Sequence, residues 1–374
     1  MRAVMGIGNL VTKPPVLEAS FDESTTRSDR RRSRVSFSGL AFVIGALCGV
    51  LPAVFLYTPV LRGPEAAGLV ASVLYVQRFG IEWLQDTQDV FLPYLVIGPA
   101  MSLAGVAGAY IVTALSLVSL TGIVCYIARK LGLTLLAAVT VAVGTLSFPV
   151  ILSSAKDLPM YLPMLSFGYL GTWLVYHAGS GNARRRLLAA ACGGLCVVLA
   201  AESHGIGQLF YAAPLLTLVL NPTRRGLLAL GTSYGSAILF SIPRLLINLS
   251  EGGLSHIRGT RTDYWVTEGY LDLINTEFWG HPVSVSRWEY LAGMDQQVAE
   301  AVGQFGALVG VLAITSIFIV RARQRWFIAS CVALMVVPLI IITPPQFPRY
   351  LAPIVPGIAL LAGVTMDFLL DKTR

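Results

Sequence analysis

The residues able to do chemistry in this chain are few, and they sit between long apolar stretches. Glu65, Glu82, Asp86 and Asp89 fall within residues 59–92, with apolar sequence on both sides. A carboxylate beside apolar walls is partly desolvated, which raises its proton affinity toward neutral pH and suits it to general-base work. The competing reading of each is a solvated loop charge. Glu202 and His204 stand in Glu202-Ser203-His204-Gly205, between two apolar runs. Ionisable groups near membrane depth are costly and persist where they face a cavity or a partner, although a turn that needs only polar residues would use the same types. Arg244 follows Pro243 near the end of a further apolar run, and Arg349 lies between Pro348 and Tyr350 at the start of the last one. Such a guanidinium either snorkels to lipid headgroups or points inward and neutralises a phosphate.

Residues 250–304 add His256, Arg258, Arg261, Asp263, Tyr264, Trp265, Trp279, His281, Trp288 and Glu289. Aromatic faces beside hydrogen-bonding groups suit sugar rings, and an aromatic belt at the headgroup level uses the same residues. The chain has no GxxxxGK[ST] phosphate loop, HExxH, CxxC or GxSxG sequence, so ATP-driven transport and zinc proteolysis have no foothold. The histidines are too isolated for their spacing to specify a metal site.

The elements that must position these residues follow from composition. With 55% hydrophobic and 13% charged residues, the chain departs from soluble domains in both respects. It reads as an all-α polytopic membrane protein with about ten transmembrane helices, each needing about 20 apolar residues. The expected spans are 38–58, 107–128, 132–152, 159–177, 187–201, 205–220, 226–248, 301–320, 326–343 and 350–369. Residues 1–37 read as a disordered basic tail and 38–370 as the membrane domain. Extracytoplasmic loops are expected at 59–92, with helical sequence, and at 249–300; residues 93–105 suit an interfacial or re-entrant helix.

Arginine clusters orient these spans. Arg30 to Arg34, Arg129-Lys130, Arg184 to Arg186, Arg224-Arg225, Arg321 to Arg325, and Lys372 with Arg374 can all lie on one side of a bilayer. The bias of Lys and Arg toward short cytoplasmic loops then puts both termini in the cytoplasm of a cell-membrane protein and the carboxylates outside. Arg349 falls on the outer side, against that bias, which favours a functional reading. The net charge of +7 is spread over one face and reflects topology and anionic lipid, not nucleic acid. All five cysteines fall inside apolar segments and supply no disulfide framework to the outer loops; Cys192 and Cys196, on one helix face, read as small packing residues.

Four segments resemble the C-type (GT-C) membrane glycosyltransferases, the group of the protein O-mannosyltransferases and the lipid A aminoarabinose transferase. RGPEAAGLVASVLYVQRFG after the first span is similar to that family's acidic first-loop motif and its following helix. FLPYLVIGPAMSLAG with YIARKLGL resembles its interfacial helix and the cytoplasmic end of the next span, and SSAKDLPMYLPMLSFGYL resembles its second outer loop with an acidic residue. FPRYLAPIVPGIALLAG resembles its Arg-Tyr-Leu-x-Pro-x-x-Pro ending, and the four occur in family order over most of residues 38–369. One departure stands out: the family's first-loop motif is usually Asp-Glu with the Asp as base, and here Pro64 precedes Glu65.

The resemblance implies a transferase that moves a sugar from a polyprenyl phosphate to a hydroxyl of a glycan, lipid or protein at the outer face, with inversion. Glu65, or Asp86 or Asp89 in its place, would take the acceptor proton, and Asp157 would orient the acceptor. His204, Arg244 and Arg349 would stabilise the departing phosphate, with Glu202 and Tyr350 in the same cavity and a divalent metal as an optional helper. The alternatives are a transporter or flippase of a lipid-linked or amphiphilic substrate, and a non-catalytic assembly subunit, the latter prompted by Pro64.

Overall fold

Hydrocarbon offers no water to pair backbone groups, so long apolar stretches fold as helices. The computed structural model describes residues 23–57, 64–79, 92–157, 160–179, 183–215, 223–250, 273–278, 281–286, 295–319, 323–341 and 348–372. Its helices are α1 (Glu23–Leu56), α2 (Pro64–Phe79), α3 (Leu92–Ala104), α4 (Val106–Lys130), α5 (Leu135–Leu146), α6 (Pro149–Asp157), α7 (Tyr161–Ala178) and α8 (Ala183–Ser203), then α9 (Arg224–Ser250), α10 (Asp295–Ile319), α11 (Arg323–Ile341) and α12 (Val355–Lys372). A 3-10 segment, Gly205–Ala212, follows α8, and a 3-10 turn, Pro348–Ile354, leads into α12. Strands β1 (Leu273–Phe278) and β2 (His281–Ser286) pair antiparallel with Leu273 opposite Ser286.

Among the described residues six helices are long and apolar enough to cross a bilayer: Ser38–Leu56, Val106–Lys130, Arg185–Ser203, Arg224–Leu246, Val298–Ile319 and Leu351–Lys372. The pair α5 and α6, bent by 63°, makes a seventh if it is one span. The other three expected spans correspond to α7, the 3-10 segment and α11.

The polytopic helical architecture is thus as expected, with local corrections. The tail expected to be unstructured over 1–37 is helical from Glu23 onward, because no Gly or Pro interrupts residues 16–38 and a helix already nucleated extends at little cost. Residues 1–22 lie outside the described residues. The span expected at 132–152 breaks at Ser147-Phe148, and the loop expected at 249–300 carries the paired strands. Residues 93–105 do form a short apolar helix, α3, and the first loop is helical in α2.

Lipid tails are as apolar as the helices, so helix association depends on close packing. On α1, a methyl group added to Gly45 would stand 2.5 Å from Cys125 Cβ, and one on Gly49 would stand 2.4 Å from Thr121 Oγ1. α1 and α4 therefore lie antiparallel with backbones nearly touching, and Tyr57 meets Tyr110 edge to face at 6.2 Å. Gly303, at φ 61°, kinks α10 where Pro149 approaches, and Gly306 lies against Phe148. Gly144 lies level with Val309 and Ala359.

These levels define two ends of the bundle. At one, the Asp367 carboxylate accepts the Thr134 N–H at 2.7 Å at the start of α5, and Arg325 Nη1 donates to the Ile317 carbonyl at 2.7 Å at the end of α10. The starts of α8 and α9, with Arg185, Arg186, Arg224 and Arg225, and the ends of α4 and α12, with Arg129, Lys130 and Lys372, belong to that same end. The opposite end gathers Tyr57, Tyr110, Tyr161 and Glu202, and a small apolar cluster of Val70, Val73, Tyr94, Ile97, Met101, Ala109 and Met160 joins α2 and α3 to it.

Candidate functional site

At the end remote from the arginine clusters, the close of α8 meets the start of α7. The His204 and Tyr161 rings are 4.2 Å apart between centroids and tilted by 36°. Tyr161 is 1% exposed, so the imidazole rests on a fixed surface. His204 is extended at φ −159° and ψ 145° and caps the 3-10 segment: its Nδ1 accepts the Ile206 N–H at 3.2 Å. An Nδ1 that accepts a hydrogen bond carries no proton, so geometry assigns the neutral ring the Nε2–H tautomer, a donor.

Two residues upstream, Glu202 Oε2 accepts from Arg244 Nη1 at 2.8 Å, with the side chains 13% and 28% exposed respectively. Arg244 is thus paired with a carboxylate of the protein. The pair ties the ends of α8 and α9 together. The Ser236 hydroxyl donates to the Ala191 carbonyl at 2.8 Å further down, so the two helices run parallel. Parallel neighbours need a return crossing between them. Residues 205–212 begin it, descending beside α7 from Tyr161 at His204 to Gly168 and Tyr169 at Phe210. A 3-10 helix rises about 2.0 Å per residue against 1.5 Å for an α-helix, so it covers depth with fewer residues. Its period of three is visible in burial: Gly207, Phe210 and Ala213 are buried in one column headed by His204.

Gln77 fixes the first-loop helices, donating from Nε2 to the Gly98 carbonyl at 2.6 Å and to Ser102 Oγ at 2.9 Å. Glu65 lies in the first turn of α2, next to Pro64 at its first position. Proline is favoured there because its missing N–H is unpaired in any case, and an acid next to it complements the helix dipole. Pro64 thus has a local structural reason. Asp157 is the last residue of α6, three residues before buried Met160. Arg349 and Tyr350 stand on the 3-10 turn, which packs against α6, α7 and α10.

The structure thus pairs Glu202 with Arg244 and rests His204, two residues after Glu202, on Tyr161. It sets the elements carrying Glu65, Asp157, Arg349 and Tyr350 at the same end. Glu82, Asp86 and Asp89 lie outside the described residues, as do His256, Arg258, Arg261, Asp263, Tyr264, Trp265, Trp279, Trp288 and Glu289; His281 opens β2. Tyr161 and Gln77 were missed in the sequence. A tyrosine inside an apolar stretch looks like packing, and only the neighbouring His204 gives it a role. Among the described residues no group of three His, Cys, Asp or Glu could hold a metal, and the described carboxylate of the site, Glu202, is committed to Arg244.

No protein-family profile matches the sequence, and no curated protein matches it. Among solved structures, the crystal structure of ArnT from Cupriavidus metallidurans bound to undecaprenyl phosphate is similar, with a TM-score of 0.60 at 17% identity over 88% of this chain. The chain spans 60% of that protein's length. The likeness shows the fold: a polytopic helical architecture shared with ArnT, in line with the expected fold class.

Proposed function

We propose that this chain is a membrane glycosyltransferase that moves a sugar from a polyprenyl-phosphate donor to a hydroxyl acceptor, with both termini cytoplasmic and the reaction at the outer face of the cell membrane. The observation that carries this reading is the Glu202–Arg244 pair beside His204, which rests on Tyr161, at the end of the bundle remote from the arginine clusters, in a fold shared with ArnT. That structure holds undecaprenyl phosphate, which supports a lipid-linked phosphate as the donor class here.

In the proposed reaction the bond between the anomeric carbon and the phosphate oxygen breaks while the acceptor oxygen forms its bond on the opposite side, inverting the centre. The acceptor proton goes to Glu65, or to Asp86 or Asp89, and the departing phosphate keeps the electron pair. Charge growing on that phosphate calls for donors already in place. His204 supplies Nε2–H and Arg349 a guanidinium. Arg244 acts beside them from its pair with Glu202, and Asp157 with Tyr350 orients the acceptor. The test is reconstitution of the purified chain with labelled polyprenyl-phosphate sugars and an acceptor-lipid extract. Transfer by the wild type, with losses on the order of 100-fold or more in Glu65→Gln and Arg349→Ala, is expected. Transfer unchanged in both variants overturns the assignment of roles, and no transfer from any donor overturns the activity.

A further inference from the structure

The 3-10 turn and α12 meet at a junction where the backbone ladder is broken by design of the sequence. Pro353 and Pro356 are three apart. In a 3-10 helix the Pro353 carbonyl would accept from residue 356, which as a proline has no N–H to give. In an α-helix the same carbonyl would accept from Gly357. Neither happens. The Tyr169 hydroxyl of α7 occupies the gap: it accepts the Gly357 N–H at 2.9 Å and donates to the Pro353 carbonyl at 2.7 Å. Met335 Sδ, at 3.9 Å, is the weaker neighbour, and the one hydroxyl hydrogen goes to the carbonyl. Tyr169 is 3% exposed, so both backbone groups would otherwise be buried and unpaired, a costly state. Glycine at 357 admits the ring, since an added methyl would stand 3.1 Å from the hydroxyl oxygen and 2.5 Å from Val332 Cγ2.

We propose that Tyr169 is a positioning residue: its hydroxyl, inserted between Pro353 and Gly357, sets the angle at which the turn 348–354 joins α12 and so where Arg349 and Tyr350 stand relative to His204. The same helix carries both references, because α7 supplies Tyr161 to the His204 ring and Tyr169 to the turn. Without the hydroxyl, the Gly357 N–H and the Pro353 carbonyl are the natural α-helical pair and close on each other. The Pro353 ring, which would clash with the Arg349 carbonyl in a continuous α-helix, keeps the turn from rewinding, so closing that pair swings residues 348–352 as a unit about the junction. The functional half of this proposal rests on the glycosyltransferase reading; the conformational half does not.

The experiment has two arms. In full-length chain with its native cysteines replaced by alanine, nitroxides at Tyr350→Cys and Gln208→Cys report the separation of the turn from the crossing in nanodiscs. Tyr169→Phe is expected to shift that distance by several ångströms. Adding Pro356→Ala, which gives the Pro353 carbonyl a new donor three residues on, is expected to return it. In the second arm, kcat and KM for the labelled donor are measured in wild type, Tyr169→Phe, Arg349→Ala and the double variant. Tyr169→Phe is expected to lower kcat on the order of tenfold with little change in KM, and to cost nothing further once Arg349 is gone. A distance unchanged by Tyr169→Phe overturns the proposal, as does a full additional loss in the double variant. A shifted distance in a chain whose wild type transfers no sugar upholds the positioning and sinks the glycosyltransferase reading.

Discussion

At the scale of single residues, His204 separates structure from chemistry because its two ring nitrogens do different work. Nδ1 pairs with the Ile206 N–H, and the role proposed for the residue in transfer belongs to Nε2–H. Asparagine at 204 retains an acceptor at the Nδ1 position and loses the Nε2 donor. His204→Asn is therefore expected to keep the thermal stability of the wild type while transfer falls on the order of 100-fold. His204→Ala should lose in addition about 1 kcal/mol of stability through the cap. Unfolding curves in detergent and initial rates of transfer check both, and equal stability losses in the two variants would remove the cap from the explanation. Glu202, His204 and Arg244 were legible in the sequence because charge stands out among apolar neighbours. Their arrangement was not. That Arg244 answers Glu202 depends on α8 and α9 running parallel, which no local pattern encodes. Tyr169 was legible only as a core residue, since its task depends on prolines in a remote segment.

Elements carry the next level of information. Period and length located the apolar helices well, but two features escaped. The crossing after His204 follows a period of three, so a search for faces repeating every 3.6 residues sees an undifferentiated apolar run. The 63° break between α5 and α6 has Ser147-Phe148 at its corner and no proline until Pro149, where a helix start tolerates it. The break is held from outside by the kink of α10. Gly303 has a φ of 61°, and a methyl group there would meet Pro149 Cγ at 2.7 Å. Gly303→Ala combines a left-handed backbone with a clash, and is expected to destabilise the chain by about 1–3 kcal/mol. Thermal unfolding in detergent measures it; a variant as stable as wild type would mean that α10 does not brace the corner.

For the whole molecule, charge distribution did most of the work. Of the basic residues expected on one membrane face, Arg129, Lys130, Arg185, Arg186, Arg224, Arg225, Arg325 and Lys372 fall at one end of the bundle, where Asp367 meets Thr134 and Arg325 meets the close of α10. The order of four weak segments pointed to the architecture seen in ArnT, although none alone would suffice. Sidedness is open to direct measurement. Gln296 and Lys372 are exposed at opposite ends. In intact cells a membrane-impermeant thiol reagent is expected to modify Gln296→Cys, and to modify Lys372→Cys only after permeabilisation. Labelling of both positions without permeabilisation would refute the orientation. The carboxylates of residues 59–92 stand out in the sequence, whereas the placement of α2 and α3 depends on Met160 joining their apolar cluster, a contact between distant parts of the chain.

The column of His204, Gly207, Phe210 and Ala213 has one more implication. In a three-fold screw, rungs stand directly above one another, so inserting or deleting a single residue between 205 and 212 swings the imidazole a third of the way round, off Tyr161 and onto another face. Substitutions on the two outer columns can be absorbed by lipid or by neighbouring side chains, but a change of length has nowhere to go. The spacing from ring to ring is thus held more tightly than the identity of most residues that fill it.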